Sequence, residues 1–192
     1  MKQIFTITAD TENHAGVLHR LTSVFTRRKV NVESLCVSET QIEGISRFTI
    51  SVKLEEMQVQ KIIAQIARII EVKHVAYYTD NQLLFKEIAF LKIEVTSTEE
   101  RRKVEEVARR YNANVALVDD RLIVFEKTGS EADISSLYYL LSEYRILEFV
   151  RSGRIAVTRF SDSSCSSDDV DSGLSKVAAA RMVILSSPPV SS

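Results

Sequence analysis

The chain has 192 residues, of which 45% are hydrophobic and 27% charged, and 25 Lys and Arg balance 26 Asp and Glu. This near-neutral balance argues against nucleic acid or anionic membrane as a partner, because both are recognised through a positive field. No apolar run reaches the roughly 18 residues of a membrane span, and no signal-peptide core opens the chain. We therefore expect a cytoplasmic protein. Two Cys and three His make a closed zinc site improbable.

Residues 1–80 predict a βαββαβ unit, because period-two and helical apolar spacing alternate in that order. The predicted elements are a strand at 4–9, a polar loop at 10–15, a helix from Gly16, a strand at 30–38, a turn at 41–44, a strand at 48–54, a helix at 59–70 and a strand at 72–79. The phase of the second strand slips near Glu33 and Ser34, which indicates a β-bulge.

The same order repeats in residues 81–160. Its predicted elements are a strand at 88–96, a helix at 99–111, a hairpin of strands at 114–118 and 122–127, a helix at 134–144 and closing strand material at 146–150 and 155–160. The predicted fold class is therefore α+β, with two ferredoxin-like βαββαβ domains in tandem. Each is expected to be a four-stranded antiparallel sheet with two helices on one face.

Residues 161–192 differ in composition from the rest of the chain. They are rich in Ser and Asp and hold both prolines, Pro188 and Pro189. This composition predicts a low-complexity tail without a packed core of its own.

Small units with an open sheet have marginal cores and one bare sheet face. Pairing of two copies relieves both defects, so we expect a homodimer.

The most specialised segment joins the first strand to the first helix. Gly16 at the helix entrance allows close backbone approach, and the amides and dipole of a helix N-terminus suit a carboxylate. Asn13 offers both a donor and an acceptor to a small zwitterion. The alternative interpretation is structural: Asn13 caps the helix, and Gly16 makes a tight turn.

The segment Glu12-Asn13-x-x-Gly16-x-Leu18, with Asn31-Val32-Glu33-Ser34-Leu35 and Ser46-Arg47-Phe48-Thr49-Ile50, resembles the regulatory small subunits of acetolactate (acetohydroxyacid) synthase. The closing segment 150–156 resembles the end of that family's second domain. The resemblance covers residues 1–160, and it implies that domain 1–80 is an amino-acid-binding ACT domain and that 81–160 is the family's C-terminal domain.

The resemblance also implies a function. The family is non-catalytic, stimulates the catalytic large subunit and confers feedback inhibition by valine, which sits between ACT domains of two copies. Carried over by position, the effector site is lined by Asn13, Ala15, Gly16, Val17 and Leu18, with Asn31 of the second strand reaching across the interface. Thiamine diphosphate, Mg²⁺ and FAD belong to the large subunit, and this chain needs no cofactor.

Three other interpretations stay open from the residues alone. An RRM-like nucleic-acid module shares the βαββαβ order, but it needs exposed aromatic residues on the inner strands. A small enzyme of acylphosphatase type needs an arginine in the first loop, which has none, and Asp10 with Glu12 lacks a nucleophile nearby. The basic run 27–29 is either a solvated helix end or a contact with an acidic patch on the catalytic subunit.

Overall fold

The computed structural model describes residues 1–159, so the predicted low-complexity segment 161–192 lies outside the described residues. Contacts within 1–159 divide the chain into two compact units. The first consists of Met1–Leu84 with residues 156–159, and the second consists of Phe85–Ile155. In this described range no helix is both long enough and apolar enough to cross a membrane.

The first unit has the predicted βαββαβ order. Its elements are β1 (Gln3–Glu12), α1 (Val17–Arg27), β2 (Val32–Glu39), β3 (Ile45–Leu54), α2 (Glu56–Ile66) and β4 (Val72–Thr79). Neighbouring strands are antiparallel and lie in the order β2-β3-β1-β4. This order leaves β2 and β4 as the two edges of the sheet, and the loop after β1 lies at the same end of the sheet as the last residues of β2.

The core of this unit lies between one sheet face and the inner sides of the two helices. Alternate strand residues point to the same face, so β1 contributes Phe5, Ile7 and Ala9. Burial of each large aliphatic or aromatic side chain stabilises the fold by roughly 1.5–3 kcal/mol. We expected the opposite face to be bare, and this is only partly correct. The small side chains of Thr6 and Ser51, paired across β1 and β3, are also buried.

Several predicted boundaries in this unit are wrong: the strand predicted at 30–38 spans Val32–Glu39, that predicted at 48–54 begins at Ile45, and the helix predicted at 59–70 begins at Glu56. Two further differences affect the site and the core. β1 continues to Glu12, so the loop after it contains only residues 13–16 instead of 10–15. α2 ends at Ile66, although apolar spacing continues beyond it: Ile69 packs against the core from a turn, and Ile70 is 88% exposed. The bulge is confirmed, since the β2–β3 register shifts between Val32 and Ser34.

The second unit repeats the sheet order of the first, as β6-β7-β5-β8. The remaining elements of the chain are a 3₁₀ turn at Asp80–Gln82, β5 (Leu83–Glu94), α3 (Thr98–Arg110), β6 (Asn114–Val118), β7 (Leu122–Gly129), α4 (Glu131–Leu141), β8 (Ile146–Arg151) and β9 (Ile155–Thr158). By the division of contacts given above, the 3₁₀ turn, the first two residues of β5 and the last three of β9 belong to the first unit. β5 begins five residues before the predicted strand, and β9 pairs with it as a fifth strand rather than extending β8. The core again lies between one sheet face and the two helices.

Candidate functional site

A four-residue loop, residues 13–16, connects the end of β1 to the start of α1. The backbone N–H of Asn13 donates to the carbonyl oxygen of Gly44 at 2.7 Å, and the backbone N–H of His14 donates to the carbonyl oxygen of Glu12 at 3.0 Å. Gly16 has φ +87°, in the left-handed region where residues with a Cβ are strained. The two backbone hydrogen bonds therefore fix the loop. The left-handed backbone conformation at position 16 explains why that residue is glycine.

The N-terminus of α1 is open. Gly16 is its N-cap residue and offers no side chain to the first-turn amides, and the first turn holds no acidic residue. The first amides of a helix have no acceptor within the helix, and its dipole adds positive potential there. Beside this end Leu18 is 47% exposed, whereas the Val17 side chain is buried in the core at 2%. The Val17 N–H donates to the carbonyl oxygen of His14 at 3.3 Å, so among the described residues the N–H groups of Leu18 and His19 are the first-turn donors without an acceptor. A ligand here also meets the Leu18 side chain.

Asn13 is not the helix cap that the alternative interpretation predicted. Its side-chain Nδ2 donates to Glu39 Oε1 at 2.5 Å, so it joins the loop to the last residue of the edge strand β2. Glu39 was not predicted as a site residue. Only the strand register reveals it, because 26 residues separate it from Asn13 in sequence.

Asn31 lies immediately before β2, one residue outside the strand on which we placed it. At one end of the sheet Val32 of β2 pairs with Val52 of β3, which in turn pairs with Phe5 of β1. Glu39 pairs with Ser46 at the other end. At about 3.3 Å per residue, β2 separates its two ends by roughly 25 Å. One chain therefore brings together Asn13, Ala15, Gly16 and Leu18, but not Asn31.

The carboxylates near the end of β1 are held by cations on neighbouring strands. Arg47 donates to both oxygens of Asp10, at 2.7 and 3.0 Å. Glu12 Oε1 is paired with Lys73 Nζ, and His14 Nδ1 lies 3.4 Å from Glu12 Oε2. The hydrogen bond from Lys73 lowers the pKa of Glu12 below its ordinary 4.5, which is the wrong direction for a general acid at neutral pH. Asp10 and Glu12 are thus suited to ion pairing between strands.

The sheet of the first unit does not present the surface of an RRM. The aromatic residues of the two inner strands, Phe5 and Phe48, both point into the core. The opposite face carries Thr6, Thr49 and Ser51 at the sheet centre. Stacking of bases on the inner strands requires exposed rings, so this alternative lacks its principal contacts within the described residues.

Comparison with known proteins agrees with the fold. A family model of the AHAS small subunit-like ACT domain matches residues 7–74, and a model of the small subunit of acetolactate synthase matches residues 86–160. The acetolactate synthase small subunit of Bacillus subtilis is 34% identical over 169 residues, which are 88% of this chain and 96% of the relative. That of Aquifex aeolicus is 31% identical over 153 residues, covering 80% of each chain.

A solved structure supports the fold independently. The acetolactate synthase small subunit of Thermotoga maritima superposes with a TM-score of 0.77 at 22% identity, covering 83% of this chain and 99% of that one. Fold and loop together define a protein with an N-terminal ACT domain followed by a second ferredoxin-like unit. Within that class, the chain belongs to the family of acetolactate synthase small subunits.

Proposed function

We propose that this chain is the non-catalytic regulatory subunit of acetolactate synthase. It binds and stimulates the catalytic large subunit in the cytoplasm and mediates feedback inhibition by valine, and so controls branched-chain amino acid biosynthesis. Thiamine diphosphate, Mg²⁺ and FAD would be held by the large subunit, and this chain would need no cofactor. Family membership supports the partnership. The open N-terminus of α1 beside an exposed Leu18 is the observation that carries the effector proposal.

The chemistry of this loop suits an aliphatic amino acid. The carboxylate of valine would accept hydrogen bonds from the first-turn amides of α1. Because Nδ2 of Asn13 is engaged by Glu39, its Oδ1 is left to accept a hydrogen bond from the ammonium group, which the Glu39 carboxylate also attracts. Leu18 would contact the branched side chain, and a Cβ at Gly16 would project into the space that the ligand occupies.

Two-fold pairing of copies through β2 would complete the site. The same strand of two copies can pair around a two-fold axis only in antiparallel fashion. An axis at Leu35, in the middle of β2, would bring Asn31 of one copy opposite Glu39 of the other, the residue that accepts the hydrogen bond of Asn13. This arrangement supports the role across the interface that the resemblance implies for Asn31.

Inhibition would follow from thermodynamic linkage. Valine bound across two copies stabilises one arrangement of the paired domains, and the large subunit senses that arrangement. Reciprocity then requires that the large subunit change valine affinity by the same factor, and coupling energies of this kind are typically about 1–3 kcal/mol.

The test is a calorimetric titration of the full chain with valine, leucine and isoleucine, followed by an activity assay with the large subunit. We expect Asn13→Ala and Gly16→Asp to abolish valine inhibition and to leave stimulation largely intact. Normal valine inhibition of both variants would remove this loop from the effector site. Failure of the unmodified chain to alter large-subunit turnover would overturn the regulatory role.

A further inference from the structure

A groove in the first unit lies between α1 and the segment that joins α2 to β4. It encloses about 720 Å³ and continues into a second cavity of about 530 Å³. Four arginines line the two cavities: Arg20, Arg27, Arg28 and Arg68. Glu71 is the one carboxylate among the lining residues, and it is paired with Arg20 at 2.6 Å. The groove therefore has a strong excess of positive charge, although the whole chain is near neutral.

The arginines differ in how they are held. Arg28 Nε donates to Gln65 Oε1 at 2.8 Å and so links the ends of the two helices. Arg27 bonds only a backbone carbonyl, that of Ser23 at 3.3 Å, and Arg68 is an exposed side chain. Within the described residues, neither Arg27 nor Arg68 has a carboxylate within ion-pair distance. Both are available to an anionic partner.

The groove also has an apolar element. Ile69 lines it from its partly buried position against the core, and Ile70 stands beside it 88% exposed. Exposed arginines around exposed aliphatic side chains fit a protein segment that carries carboxylates and at least one aliphatic residue. A second copy docked by the same face would set arginines against arginines, so charge disfavours it.

We propose that this groove binds an acidic segment of the catalytic subunit. The proposal rests on the proposed function, because it names the surface that the partner contacts. Arg27 and Arg68 pair with carboxylates of that segment, and Ile70 contacts an aliphatic side chain. These residues lie outside the effector loop, so valine binding and partner binding use different parts of the unit.

The test compares full-length variants in binding to the purified large subunit. We expect Arg27→Glu with Arg68→Glu to weaken binding at least ten-fold, more at low than at high salt, since rim charges are screened. The control is Arg102→Glu with Arg109→Glu, which reverses two exposed arginines on α3 and should leave binding within about two-fold. Arg27→Lys with Arg68→Lys should bind nearly as the unmodified chain, and Ile70→Ser should weaken binding without affecting the fold.

Each outcome decides a separate question. If the charge-reversed groove variant and the unmodified chain bind the large subunit equally, the groove proposal is overturned. It is also overturned if the α3 control loses as much affinity for the large subunit as the groove variant does. Tighter binding after reversal also overturns it, because the partner surface facing the groove would then be basic rather than acidic. If the unmodified chain fails to bind the large subunit, the proposed function falls together with the inference. Calorimetry with valine should show unchanged affinity for the reversed variant.

Discussion

Glu87 on β5 and Arg154, just after β8, form a buried ion pair in the second unit. Arg154 Nε lies 3.3 Å from Glu87 Oε1, and the two side chains are only 7% and 4% exposed. Arg151 Nε lies 3.4 Å from the other oxygen of Glu87, and the Arg154 guanidinium stacks on the ring of Phe85 at 4.2 Å. The Glu87 carboxylate thus holds the segment between β8 and β9 against β5, together with two hydrogen bonds between Ser152 and the Ile88 backbone, at 2.9 and 3.0 Å.

Removal of that carboxylate should destabilise the second unit. Glu87→Ala removes the carboxylate closest to the buried Arg154 and leaves the more exposed Glu131, 4.0 Å from its guanidinium. Breaking a buried pair typically costs about 3–5 kcal/mol. Denaturant unfolding, with hydrogen exchange to localise the loss to 85–155, measures the change. Glu106→Ala removes an exposed pair of similar length, 3.2 Å to Arg110, and should change stability by no more than about 0.5 kcal/mol. Equal effects of the two substitutions would contradict a special role for the buried pair.

Substitution of Gly16 should cost stability through backbone strain alone. An added Cβ would meet no atom within 4 Å, yet φ is +87°. An ordinary residue in the left-handed region loses roughly 1–2 kcal/mol, and Asn loses less because it tolerates this conformation. We therefore expect Gly16→Ala to lower the free energy of unfolding by about 1 kcal/mol, and Gly16→Asn to lower it by a smaller amount. The opposite ranking in denaturant titrations would show that contacts, rather than φ, decide the cost.

The sequence predicts elements well where spacing and turn residues agree. The strand at 72–79 and the bulge before Ser34 follow from alternation and its phase. Ile70 is misassigned because helical spacing continues by chance past the true end of α2. The pairing of Asn13 with Glu39 and the burial of Glu87 could not be predicted, since both depend on which strands become neighbours. Charged residues in a strand ordinarily indicate a solvent-facing position.

The Asn13–Glu39 hydrogen bond should tune effector affinity without creating it. Glu39→Ala releases the Asn13 amide, and a hydrogen bond of this kind contributes about 0.5–1.5 kcal/mol, or roughly two- to ten-fold in affinity. Glu39→Gln keeps an acceptor for Asn13 and should lose less. Calorimetry with valine on both variants provides the measurement, with Glu43→Ala in the following turn as the control. Identical valine affinities for Glu39→Ala, Glu39→Gln and Glu43→Ala would show that Glu39 does not influence the effector loop.

The ion pair between Glu12 and Lys73 should make the end of β1 insensitive to pH near neutrality. The hydrogen bond from Lys73 lowers the pKa of Glu12 below 4.5, so the ionised form is favoured in the folded state. Its contribution to stability is therefore fully present above 4.5 and is lost as the pH falls through the lower, folded-state value. In Lys73→Gln the midpoint of the Glu12 carboxyl resonance should rise towards 4.5, as measured by NMR titration. An unchanged midpoint would assign the low pKa to another neighbour, and His14→Gln would test the nearest one, 3.4 Å away.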